Sequence, residues 1–82
     1  MMITIEYLQW ARKNLTRAAG DVLLLLALHP EGIRPGEIQR LLDFNRSTLS
    51  NALIVLKSKG CIKEIPKRRY ALCRPVEEII KG

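Results

Sequence analysis

Two short runs of the chain carry side chains able to act on another molecule. Arg46, Ser47, Thr48, Ser50 and Asn51 stand together and offer one guanidinium beside several short hydrogen-bonding groups. That combination suits base edges and phosphate oxygens. Lys67, Arg68 and Arg69 follow one another directly, and Lys57 lies between the two groups. Cations of this kind meet phosphates. Each run alone has a plainer reading. Helix starts favour Ser and Asn in any case, and a short basic run is often only a solvated turn. Their co-occurrence carries the argument, because both runs must be placed on surfaces that one architecture would align.

Other chemistries lack parts. The chain has no phosphate-cradling glycine loop, no carboxylate cluster, and no His near a Ser or Cys at a recognised spacing. No catalytic residue, cofactor or metal is therefore expected, and the protein is read as not an enzyme. His29 is the only histidine and reads as a helix-end residue. Cys61 and Cys73 default to free thiols inside a cell. If Glu64 pairs with Tyr70, Cys61 falls opposite Cys73, and a cross-strand disulfide becomes geometrically open. Two cysteines and a distant His are too few for a closed tetrahedral metal site unless a second subunit contributes.

Charge is focused. The net charge is +6, from 14 basic and 8 acidic residues. Residues 44–74 hold eight of the basic residues and a single acid, Glu64, for +7; the remainder holds six basic and seven acidic residues, for −1. A polyanionic partner explains this focusing better than solubility does. The longest apolar run covers residues 22–28, far short of the roughly 20 residues that span a bilayer. With no signal-peptide pattern at its start, the chain is expected in the cytoplasm, with no membrane partner.

A single domain over residues 1–82 must position these groups. It is expected to be mainly α with a small β-hairpin, an α+β fold. An amphipathic helix is read over residues 3–15, with Ile3, Tyr7, Leu8, Trp10, Ala11 and Leu15 on one face. It either covers the core or pairs two copies of the chain. Thr16 caps a second helix over residues 16–28, apolar on every side from Val22 to Leu28 and so expected to be buried all round. Residues 32–34 form at most a minor strand. Residues 35–59 read as two helices: Pro35 opens the first, with Ile38, Leu41 and Leu42 on its apolar face. Asn45 caps the second, with Leu49, Ala52, Leu53 and Leu56 buried and Gly60 just past its end. Residues 61–73 form the hairpin, with Lys67, Arg68 and Arg69 at its tip. Residues 75–81 form a last helix presenting Val76, Ile79 and Ile80. The connector around Phe44 is short enough to cross the two central helices steeply, so that the second projects.

The stretch from Ile33 to Cys73 resembles the winged helix-turn-helix domains of the MarR and ArsR type found in bacterial and archaeal regulators. The likeness rests on Glu37-Ile38 with Leu41-Leu42, on the run from Arg46 to Leu53, on Leu56-Lys57-Ser58-Lys59-Gly60-Cys61-Ile62, and on Arg69-Tyr70-Ala71-Leu72. It implies a transcriptional regulator that binds double-stranded DNA. Arg46, Ser47, Ser50 and Asn51 would face DNA in the major groove, and Lys67 and Arg68 would form a wing tip on the backbone or minor groove. Ile54 and Val55 stand where this pattern usually carries charge, implying that their face packs on something, and so short a wing limits its contact to phosphates. A small domain gains from pairing. A homodimer is therefore expected, built from Tyr7, Leu8 and Trp10 of the first helix with Val76, Ile79 and Ile80 of the last; no small-molecule effector is evident. The competing expectations are a winged helix used for protein assembly, and a nonspecific nucleic-acid binder.

Overall fold

Thr16 and Asn45 set the two helix starts on which the arrangement depends. The Thr16 hydroxyl accepts from the Ala19 N–H at 3.1 Å, and the Asn45 side-chain oxygen accepts from the Thr48 N–H at 2.8 Å. Each satisfies a donor that the first helical turn leaves open. The structure is a computed structural model in which residues 5–81 are described. Ile3, expected on the apolar face of the first helix, lies outside the described residues.

Among the described residues, five helices and a hairpin follow in order: α1 (Ile5–Asn14), α2 (Arg17–Leu28), α3 (Pro35–Leu42), α4 (Arg46–Ser58), β1 (Ile62–Ile65), β2 (Arg69–Leu72) and α5 (Val76–Lys81). The fold is mainly helical with a two-stranded antiparallel sheet, a winged-helix plan. α2 lies at its centre and meets α1, α3, α4 and β2. Val22, Leu23 and Leu26 of α2, Ile38 of α3 and Leu56 of α4 are fully buried together. An aliphatic core of this kind gives roughly 1.5–3 kcal/mol per side chain removed from water. Tyr7 ties α1 to this centre by donating its hydroxyl to the Gly20 carbonyl at 2.9 Å.

Two burial expectations are corrected. α2 is not enclosed on all sides: Leu24, Leu25 and Ala27 are half-buried and Leu28 is 67% exposed. The less covered positions, Arg17, Asp21, Leu24, Leu25 and Leu28, recur at helical spacing, so one face of α2 is left open while Leu26 in its last turn stays buried. Leu41 is also exposed, because α3 is short and directs only Ile38 fully inward.

The hairpin pairs Glu64 with Tyr70 and Ile62 with Leu72. That register carries Cys61 to Cys73, whose N–H donates to the Cys61 carbonyl at 2.9 Å. Both cysteines are free thiols, Cys61 buried and Cys73 exposed. Burial pushes the Cys61 thiol up, aided by Cys73 and opposed by Lys59 and Arg74. Ile33, outside the hairpin, joins it at an isolated bridge. The Ile33 N–H donates to the Tyr70 carbonyl at 3.0 Å, and the Tyr70 N–H returns to the Ile33 carbonyl at 2.8 Å. Gly32 makes this approach feasible. It has φ of +91°, and a Cβ there would lie 2.6 Å from Ile65 Cδ1.

Candidate nucleic-acid interface

The link between α3 and α4 consists of Asp43, Phe44 and Asn45. Asp43 takes the left-handed conformation at φ 55°, and Phe44 packs partly into the core. The chain therefore stops α3 and restarts α4 within one tight turn, with Phe44 anchoring the corner. α4 then divides cleanly. Leu49, Ala52, Leu53 and Leu56 are buried, while Arg46, Ser47, Ser50 and Asn51 are exposed at its N-terminal end. Thr48 is half-buried beneath them, and its N–H is taken by the Asn45 cap.

Lys57 is placed apart from this group. It lies eleven positions after Arg46, which at 1.5 Å per residue is about 16 Å along the axis. Its ammonium sits 4.9 Å from the centre of the Tyr70 ring, a cation–π contact with the hairpin. Lys57 is exposed and makes this contact away from the cluster at the start of α4.

Lys67 and Arg68 occupy the hairpin tip, both exposed and both in left-handed conformations at φ 69° and 58°. Arg69 is half-buried and donates its Nε–H to the Pro66 carbonyl at 3.2 Å, folding back across the turn. Among the described residues the side-chain ion pairs join Arg40 to Glu37 and His29 to Glu31. Arg46, Lys67 and Arg68 therefore keep their charge unneutralised by any carboxylate contact. Sequence reasoning missed one member of this surface. Arg34, exposed just before α3, lines a groove with Pro35, Lys67 and Arg68.

The remaining expected residues distribute as follows. His29 ends α2, and its Nδ1 lies 3.4 Å from Glu31, a carboxylate neighbour that was not anticipated. Glu31 stays below the usual carboxylate range, chiefly through its own backbone N–H, with His29 assisting. Val55 is half-buried, whereas Ile54 is 63% exposed. Tyr7, Val76 and Ile79 are taken into the core of the protomer rather than presented outward. α1 and α5 pack on each other, and of the residues expected at a pairing surface Leu8 is exposed while Trp10 and Ile80 are half-buried. Ile5, 72% exposed, adds to that face. No described helix is long and apolar enough to cross a membrane.

Comparison with known proteins agrees with this geometry. No curated protein matches the chain. Among solved structures, the transcriptional regulator Tm0710 from Thermotoga maritima superposes with a TM-score of 0.73 at 29% identity, over 94% of this chain. The chain spans only 58% of that regulator's length. The sequence profile of the MarR family matches residues 13–69, from the end of α1 to the first residue of β2. With most of its length matched and its helices and hairpin in winged-helix order, the chain belongs to the MarR family.

Proposed function

We propose that this protein is a transcriptional regulator that binds double-stranded DNA as a homodimer. The observation that carries the reading is the N-terminal end of α4. There Arg46, Ser47, Ser50 and Asn51 are exposed together on a helix whose other face is anchored in the core. A projecting helix with hydrogen-bonding side chains at its N-terminal turns fits the major groove. In this reading Arg46, Ser50 and Asn51 read base edges, Ser47 and Thr48 hold phosphates, and the Lys67–Arg68 tip meets the backbone. Arg69 shapes the turn and adds to its positive potential. Membership of the MarR family supports the assignment.

The dimer part of the proposal places α1 and α5 at the two-fold axis. Ile5, Leu8, Trp10 and Ile80 supply the contact, while Tyr7, Val76 and Ile79 hold the two helices in place from within. Two-fold symmetry sets the two α4 helices about 34 Å apart, one turn of DNA.

A second reading is favoured by Ile54, an exposed branched apolar residue on α4. It makes the domain a protein-docking module. A gel-shift titration at two salt concentrations, on the region upstream of the gene and on unrelated DNA, separates these readings. A regulator binds the upstream DNA more tightly and weakens steeply with salt. A nonspecific binder shows no preference between the two DNAs, and a docking module binds neither.

A further inference from the structure

We propose that Arg34, Lys67 and Arg68 form a clamp for a single DNA backbone phosphate, built where the segment before α3 meets the hairpin tip. This rests on the DNA-binding reading above and adds a site to it. Three cations from two distant parts of the sequence line one groove of about 490 Å³, together with Pro35. Among the described residues none of the three contacts a carboxylate, although Glu31 and Glu37 are near in sequence to Arg34. Those two acids are instead paired with His29 and Arg40. Three like charges around a groove repel one another, and a phosphate is the compact anion that relieves this.

The groove is held in shape by backbone rather than by the cations themselves. The Ile33–Tyr70 bridge fixes the residue before Arg34 against β2 through two hydrogen bonds of 3.0 and 2.8 Å. Gly32, at φ of +91°, takes a conformation that other residues rarely adopt and brings the segment against Ile65 and Arg69. On the opposite wall Lys67 and Arg68 sit at positive φ, a conformation unfavourable for both residue types. The turn therefore aims two long cations at the groove in a conformation that glycine or asparagine would adopt more easily. Gly32 is a positioning residue in this arrangement, and Arg34 is a binding one.

The test uses the full chain and a labelled duplex of the upstream region, read by fluorescence anisotropy across a salt series. Arg34→Ala should reduce the slope of log affinity against log salt by about one unit and weaken binding about tenfold near 0.1 M salt. Unrelated DNA should lose as much, since a phosphate carries no sequence. Arg34→Lys, which keeps the charge, should recover most of the loss. Arg34→Ala combined with Lys67→Ala should lose less than the two single changes together, because both contact one phosphate. Unchanged affinity and slope in Arg34→Ala overturn the clamp while leaving DNA binding intact. Failure of the parent chain to bind any duplex overturns the clamp and the functional reading together. Inorganic phosphate is titrated as a control and followed by the NMR shifts of Arg34. Saturation there, with an unchanged salt slope in Arg34→Ala, would make this a small-anion site and overturn the DNA assignment.

Discussion

At the scale of single residues, Tyr7 shows how one side chain serves two purposes. Its ring fills the space between α1 and α2, and its hydroxyl satisfies the Gly20 carbonyl at 2.9 Å. Burial, with the nearby Asp21 and Cys61, pushes its phenol up from 10.0 to about 12. The neutral form is thus favoured in the folded chain. The stability this contributes is complete below about pH 10 and is lost as pH rises from there toward 12, where the unfolded chain releases the proton first. Tyr7→Phe should cost about 1 kcal/mol at neutral pH, by removing the hydrogen bond that ties α1 to the Gly20 carbonyl, and should flatten part of the alkaline decline. Urea unfolding of both proteins at pH 8 and at pH 11 checks this. A variant that declines as steeply as the parent contradicts it. The sequence made Tyr7 visible as an apolar residue at helical spacing, but not which surface it covers. A core and an interface gain from the same aromatic burial, and only the position of Gly20 opposite decides between them. The same ambiguity hid the inward placement of Val76 and Ile79.

At the scale of elements, what was legible is what is local. Thr16 and Asn45 announce their helices because a cap acts within three residues. The period of Leu49, Ala52, Leu53 and Leu56 identifies the buried face of α4 without reference to anything else. The Glu64–Tyr70 register follows from the length of the basic turn. What stayed illegible depends on contacts between distant segments. Arg34 belongs to the candidate interface only because Ile33 bridges to Tyr70, and nothing near Arg34 in the chain reports that. The open face of α2 was hidden because seven apolar residues in a row do not say which face its neighbours leave uncovered. The hairpin tip gives a direct test of an element built under strain. Arg68→Gly removes a side chain from a left-handed position and should stabilise the fold by about 0.5–1 kcal/mol. The same change should weaken DNA binding on every sequence by removing a phosphate contact. Thermal unfolding and DNA titration on the same preparation check both halves. A less stable variant would mean that the turn does not hold Arg68 at positive φ.

At the scale of the whole molecule, charge and apolar surface are separated. The excess positive charge runs from α4 through the hairpin, while Ile5, Leu8, Trp10 and Ile80 gather on α1 and α5. In the proposed function, one of these sides meets a polyanion and the other a second copy of the chain. Sedimentation velocity at micromolar concentration should therefore show a dimer, and Leu8→Glu should shift it toward monomer by placing a charge in an apolar contact. A dimer unaffected by Leu8→Glu would move the interface elsewhere. The central claim is that the exposed end of α4 reads DNA sequence, and the most direct measurement is a competition titration. The upstream duplex should bind about 10³-fold or more tightly than unrelated DNA at physiological salt. Asn51→Ala should lose about 1–3 kcal/mol on the upstream duplex and much less on unrelated DNA. Equal affinity for both duplexes in the parent, or equal losses on both in Asn51→Ala, would contradict sequence reading by α4.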